Sequence, residues 1–457
     1  MRSVSTITAR LCLAFLPVLF LLSSQAQQNS PFTRYGLGEF YTNQHIISRA
    51  MGGISATYAD GLNNNIGQSV NFGNPATYGS LFMVTFDLGL TIDSRTLNSQ
   101  NPAGKFTSNN FIPSYLALGI PLKRAKGWGL AFGLKPLSTI NYSISNNERL
   151  SSGDSLQTTY EGSGGLNQVF VGLGKKWKKL SIGFNTGYNF GRREINTRKN
   201  FINDTVFYYQ SKSSTLTNYG GVFLSGGLQY EFNVGKKVNA DKTVDNYLIR
   251  LGVTGTLQQN LSANQSLVKQ TYTVGTSGDI KIDSVAEQHD IKGKILLPAT
   301  YAAGITFHKT TTNSGRVFEL WSISGEYTAT QWTKYRFYDQ PDKLSDSWQG
   351  KLGFQFCPDP VAGRGYWSSV NYRAGVYLGK DYINADGNGL KQFGFSLGAG
   401  LPVRKWRVGY DNQFTFLNTA LQFGKRGSAV NNITENYVQF SLGMSLSDLW
   451  FIKRKYD

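Results

Sequence analysis

Beyond about residue 80 the chain alternates large apolar with small or polar residues, in runs of about ten to twenty positions typical of membrane barrel strands. Leu116, Leu118, Ile120 and Leu122 take every second place, as do Leu130, Phe132 and Leu134, then Val169, Val171 and Leu173. Ile182, Phe184 and Tyr188 continue the pattern, and Phe393, Phe395, Leu397 and Leu401 repeat it, followed by Val438, Phe440, Leu442, Met444 and Leu446. Gly119, Gly133, Gly172, Gly183, Gly394, Gly398 and Gly443 sit among them and leave room on the opposite face. Successive side chains of a strand point to opposite faces, so this spacing predicts strands with one lipid-facing side. Long helical periodicity is absent from this region.

The pattern divides into fourteen predicted strands: 82–97, 108–122, 126–146, 156–177, 178–195, 214–233, 246–262, 291–308, 316–333, 347–357, 368–380, 389–401, 405–417 and 434–447. An even number suits a single-chain bacterial barrel. Connections should alternate between long outer loops (196–213, 263–290 and 418–433) and short inner turns (Lys123 to Gly127, Lys175 to Lys179, Pro402 to Arg404). The connections 234–245 and 358–367 are longer than that scheme prefers, which leaves the count open by two.

The start of the chain bears on compartment. Arg2 and Arg10 precede the apolar run Leu11 to Leu22, and Ser24-Gln25-Ala26 offers small residues before Gln27. The run is shorter than the ~20 residues of a spanning helix, so 1–26 reads as a cleaved signal peptide rather than a retained anchor. Cleavage there leaves one cysteine, Cys357, and no intramolecular disulfide. With no other segment long enough for a spanning helix, the route into a membrane is a closed barrel, which pairs every backbone group. The expected location is the outer membrane of a Gram-negative bacterium.

Composition agrees. Glycine numbers 51 of 457 residues, aromatics make up 14%, and charged residues only 16%, against the ~25% of ordinary soluble domains. The formal charge of +18 would suit nucleic acid, but an exported chain does not routinely meet it, and the charge is not gathered in one arm. The predicted inner turns carry Lys123, Arg124 and Lys126, then Lys175, Lys176, Lys178 and Lys179, with Lys236, Lys237, Arg404, Lys405 and Lys453 to Lys455 further on. Beside Trp128, Trp177, Trp406 and Trp450 they read as headgroup-level anchors, which makes membrane lipid and lipopolysaccharide the expected partners.

Residues 27–81 lack the alternation and are rich in Asn, Gly, Ser and Tyr. Fifty-odd residues ahead of the first strand are placed as a hatch, or plug, in the lumen, with the barrel from 82 to 457. Within it, Ser30-Pro31-Phe32-Thr33-Arg34-Tyr35-Gly36-Leu37-Gly38, Arg49-Ala50-Met51-Gly52-Gly53 and Asn74-Pro75-Ala76 resemble the hatch of the long-chain fatty-acid transporter family (FadL/TodX type). The likeness continues through Trp128 to Leu134, Pro136, Leu297-Pro298-Ala299 and the closing Trp450 to Asp457, as in a divergent branch. It implies an all-β, transmembrane antiparallel barrel of about fourteen strands, monomeric, plugged, and passing hydrophobic compounds inward by diffusion. It also implies a side opening where the third strand bends inward.

Pro136 lies in the predicted third strand, where it removes a ladder hydrogen bond and marks either an inward-bending lateral gate or an ordinary strand end. Asn74-Pro75-Ala76 is expected to make a tight turn, either against the wall or simply leading into the first strand. Phe32 and Tyr35 are candidates to line an apolar pocket, and Arg34 or Arg49 to meet a ligand carboxylate.

Catalytic chemistry is not legible. His45, His289 and His308 lie far apart, with no Ser or Cys in a nucleophile context, and no Cys/His cluster has zinc spacing. Asp279, Asp283, Glu287 and Asp290 fall in the predicted loop 263–290 and read as a solvated stretch. The expectation is no enzyme, no cofactor, no metal and no nucleic acid. The leading function is an outer-membrane channel for passive uptake of fatty-acid-like hydrophobic molecules. The alternative is a non-transporting barrel acting as partner or shuttle in protein secretion or surface assembly. A general polar porin conflicts with the plug.

Overall fold

A computed structural model describes residues 30–448 except 42–43, 61–67, 102, 152, 203–207, 241–242, 276–277, 314–315, 361–364, 385–386, 404–412 and 429. The expected signal peptide, Arg404, Lys405, Trp406 and the closing residues from 449 lie outside the described residues.

The wall is a closed ring of 14 antiparallel strands. They are β1 (Val84–Gln100), β2 (Ala103–Lys123), β3 (Trp128–Arg149), β4 (Ser155–Trp177), β5 (Leu180–Phe201) and β6 (Gln210–Val238). Next come β7 (Val244–Thr256, resuming as Gln259–Gly275) and β8 (Gly278–Leu297, resuming as Thr300–Asn313). The last six are β9 (Arg316–Thr330), β10 (Ser347–Phe356), β11 (Asn371–Lys380), β12 (Lys391–Val403), β13 (Gln413–Arg426) and β14 (Ile433–Asp448). Each strand pairs with its sequence neighbours, and β14 closes the ring on β1 from Ile433↔Ser99 to Asp448↔Val84. The rim where β1 begins and β14 ends is called the lower rim below.

Alternation decides what faces out. Val169, Phe184 and Phe393 point outward, 47%, 48% and 61% exposed, while their neighbours Gln168 and Asn185 are buried in the interior. Only lipid makes such an exterior favourable over a whole wall. Among the described residues no helix is long and apolar enough to cross a membrane.

The expected count holds, but several expected loops are strand. Residues 263–290 are largely the tops of β7 and β8, which pair from Gln259↔Leu297 up to Gly275↔Gly278. Asp279, Asp283, Glu287 and Asp290 therefore stand on a strand, not in a loop. The expected loop 196–213 is trimmed by β5 and β6, and 418–433 is mostly β13. The thirteenth strand, described over Gln413–Arg426, runs past its expected end at 417, its expected start at 405–412 lying outside the described residues, and β12 runs through the expected turn at Pro402 as far as Val403. The reason is that polar strands can pair above a membrane as readily as apolar ones within it. Their lost apolar alternation made them look like loops.

The N-terminal segment lies inside the ring. It carries α1 (Ile46–Ala50) and a 3-10 turn at Pro75–Ser80. Its backbone is held by groups from strands all around the wall. Ser396 of β12 accepts from Gly52 N at 2.8 Å, Lys351 of β10 donates to Gly53 O at 3.2 Å, and Gln229 of β6 donates to Ala56 O at 2.8 Å. Asn185 of β5 reaches Phe72 O at 3.3 Å, and Ser447 of β14 accepts from Gln68 N at 3.1 Å. Irregular backbone removed from water needs such partners, which is why the inward face of the wall is polar.

Asn74 caps the turn: its Oδ1 accepts from Ala76 N at 3.0 Å and its Nδ2 donates to Ala56 O at 2.6 Å. The turn presses on β4 and β5 where Gly174 and Gly183 face inward, and a Cβ at Gly183 would collide with Pro75 O. Gly183→Leu is expected to destabilise the fold by about 1–3 kcal/mol through overpacking. Thermal unfolding in detergent checks this, and an unshifted transition would show that the turn does not need this seat.

Candidate functional site

The ring has a seam between β2 and β3. β2 and β3 pair only from Lys123↔Trp128 up to Leu116↔Leu134. Just above, each strand carries a proline beside a bulge. Pro113 pairs with Leu90 while Ser114 is left out of the ladder, and Pro136 pairs with Asn167 while Leu137 is left out. Each proline withholds a donor and each bulge bends its strand, so the two upper halves part.

The open edge of β3 is covered from inside by the N-terminal segment. Glu39 and Phe40 pair with Thr139 and Ser138. Tyr41 N donates to Leu137 O at 2.8 Å, Ser30 N to Asn141 O at 3.2 Å, and Ser138 Oγ to Leu37 O at 2.6 Å. Backbone groups released by the seam thus meet protein partners, as a break in a membrane wall requires.

Two cavities meet at this seam. An outer cleft of 1190 Å³ is lined on the apolar side by Phe111, Leu116, Leu134, Tyr188 and Phe190. An inner cavity of 380 Å³ has a mixed lining, with Arg49, Arg95, Gln168, Gln259 and Lys351 beside apolar groups such as Phe72 and Phe223. Tyr41, Ile112 and Pro136 line both. Above the inner cavity, Phe32, Leu37, Trp332, Tyr335, Leu344 and Ile383 form a buried cluster, with Phe40 edge-on to Trp332 at 4.9 Å between centroids.

A buried charge network fixes Glu39 and hence the segment covering the seam. Glu39 is ion-paired with Arg95 of β1 and Arg426 of β13. Arg95 also bonds Asp93 at 2.6 Å and approaches Glu435 at 3.3 Å. Arg426 pairs with Glu435 at 2.8 Å and approaches Asp381 at 3.7 Å.

The residues singled out from the sequence are distributed unevenly about this site. Pro136 is at the seam, and Arg49 lines the inner cavity, with its Nη1 donating to Thr91 Oγ1 at 3.0 Å. Phe32 packs in the upper cluster beneath the Arg426 guanidinium, 5.1 Å from its ring centroid, and Tyr35 rests against the same cluster. Arg34 is exposed and lies 5.9 Å from the Tyr160 ring centroid. Asn74, Pro75 and Ala76 sit at the wall turn and line neither cavity. Sequence reading missed Pro113 and Tyr41. Pro113 was detectable, since Pro113-Ser114-Tyr115 breaks the alternation, whereas Tyr41 had no signal.

The lower rim carries lysines and tryptophans together: Lys175 Nζ lies 4.6 Å from the Trp128 ring centroid and 5.5 Å from that of Trp177.

The fold is shared with a Pseudomonas aeruginosa FadL homologue, at a TM-score of 0.53 and 11% identity, covering 91% of this chain and 99% of that one. A Pseudomonas putida toluene transporter, TodX, is similar at a TM-score of 0.49 and 13% identity, covering 93% of this chain and 100% of the other. The Ralstonia pickettii toluene transporter TbuX is similar at 0.48 and 14%, over 88% and 97%. No curated protein sequence matches the chain. The resemblance to the fatty-acid transporter type therefore holds as a likeness of fold. At the level of family the match is a different one: the BamG model aligns with residues 7–457, and the chain belongs to the BamG family.

Proposed function

We propose that the barrel is an outer-membrane channel through which hydrophobic, fatty-acid-like small molecules pass sideways at the β2–β3 seam. The observation that carries this is the meeting of outer cleft and inner cavity at Tyr41, Ile112 and Pro136. A lateral opening lets an apolar molecule move between lipid and lumen without crossing the polar layer outside. In this reading the lower rim faces the periplasm, its lysines and tryptophans lie at headgroup level, and the N-terminal segment is the plug. Pro136 and Pro113 hold the gate apart, and Tyr41 closes it from within. Arg49, in the lining of the inner cavity, meets the carboxylate of such a ligand. The protein acts as a monomer.

The test is binding of a spin-labelled stearate to detergent-purified protein, read as immobilisation of the label. Saturable binding is expected, with at least a tenfold loss in Ile112→Trp, which fills the junction. Absence of saturable binding, or free passage of small sugars through the intact barrel in liposomes, would overturn the reading.

One observation favours the second reading, a non-transporting barrel that partners protein secretion or surface assembly. The lumen is not continuously apolar, and its segment is tied to the wall by buried charged groups such as Glu326 and Lys351. Under that reading stearate binding is absent, and the barrel is recovered from the envelope in a stoichiometric protein complex.

A further inference from the structure

The outer cleft does not end at the seam. It continues across the outside of the wall as far as β8, where Lys292 lines it. Strand register explains its form. Arg192 pairs with Asn218, Asn218 with Asn264, and Asn264 with Lys292, so these four form one row across β5, β6, β7 and β8. All four side chains are exposed. Neighbouring strands lie about 4.8 Å apart, so the row spans about 14 Å from Arg192 to Lys292.

The row next below runs Phe190, Gly220, Ser262 and Lys294. Gly220 and Ser262 hardly project, and the Tyr188 ring leans over Gly220. A shallow trough results, with small residues for its floor, Tyr188 and Phe190 for a side, and cations along its top.

This row sits where the wall changes character. On β5 the outward positions are Ile182, Phe184, Thr186, Tyr188 and Phe190 below, then Arg192, Glu194, Asn196 and Arg198 above. That switch is the level of lipid headgroups. Among the described residues neither Arg192 nor Lys292 makes an ion pair, and the nearby Asp290 accepts from Asn264 Nδ2 at 3.0 Å. Two exposed cations without ion-pair partners at headgroup level suit an anion with apolar chains below it. The cleft exceeds the roughly 300–1,000 Å³ of ordinary small-molecule pockets, which suits several chains rather than one.

We propose that this row and trough are a binding site for the phosphorylated glycolipid of the outer leaflet. Its phosphate sits on Arg192, Asn218, Asn264 and Lys292, and its acyl chains fill the cleft towards Leu134 and Phe111. The inference rests on the channel reading only for which rim faces outward.

Native mass spectrometry of the detergent-solubilised full chain, titrated with monophosphoryl lipid A or phosphatidylglycerol, tests it. Lipid A is expected to be retained in preference. Retention should fall at least tenfold in the double variant Arg192→Glu, Lys292→Glu and persist in Arg192→Lys, Lys292→Arg. Gly220→Trp, which fills the floor without altering charge, should also lower it. Equal retention by the charge-reversed protein, or tighter retention of phosphatidylglycerol, would overturn the assignment. Spin-labelled stearate binding that survives such an outcome leaves the channel reading standing, whereas its loss in the unaltered protein would sink that reading alone.

Discussion

Arg426→Met is expected to destabilise the barrel by about 3–5 kcal/mol, because it strips a buried set of carboxylates of one of its two cations. Arg426 pairs with Glu39 and Glu435 and approaches Asp381. Without it, Glu39, Glu435 and Asp93 would share Arg95, and Asp381 would lose the cation it approaches. Methionine has similar reach but no charge, so the change tests electrostatics more than packing. Glu39 is the network's single member from the N-terminal segment, so the loss should also loosen Glu39 and Phe40 from the edge of β3. Two measurements check this: the thermal transition in detergent, and passage of small sugars into liposomes, which should rise. Adding Glu39→Gln to Arg426→Met should recover part of the stability, since it removes one unpaired acid. A transition within about 1 kcal/mol of the unaltered protein would mean that the network is not needed to hold the ring closed.

Glu326→Ala should be comparably severe. Glu326 Oε2 accepts from Ser55 N and Ala56 N, both at 2.7 Å, while Oε1 accepts from Lys351 Nζ at 3.0 Å. The substitution leaves two buried N–H groups without their acceptor and a buried ammonium without its counter-charge. About 3–5 kcal/mol is expected for the broken ion pair alone. Glu326→Gln retains an amide oxygen and should cost less. Combining Glu326→Gln with Lys351→Met should be milder than Glu326→Ala, because no unpaired charge remains. The readout is again thermal unfolding, with limited proteolysis of residues 44–60 as a local probe. If the double variant were worse than Glu326→Ala, Lys351 would owe its stabilisation to Gly53 O and Thr328 rather than to Glu326.

These two sites show where sequence reading stopped. Glu39 and Arg426 are 387 residues apart, and Ser55 and Glu326 are 271 apart. No local pattern marks such a pair, since either residue alone reads as a stray charge in a polar stretch. Charge on an inward strand face becomes meaningful only when the ring closes and brings a partner across the lumen.

What the sequence determined by itself was the wall. Alternation such as Val169-x-Val171 or Phe393-x-Phe395-x-Leu397 is local, and a strand turns it into one apolar face regardless of its neighbours. The count of fourteen, the third strand and its Pro136 followed from that local rule. Tertiary structure alone decided the heights of the hairpins, the seam and the site. The tops of β7 and β8 carry too little apolar alternation to announce themselves, and they are strands because their backbones pair. Pro136 could have been a plain strand end. It stands at an opening because Pro113 meets the same level from β2, and because Tyr41 of the N-terminal segment fills the gap from inside. Long-range pairing carries that information, and it has no period along the chain.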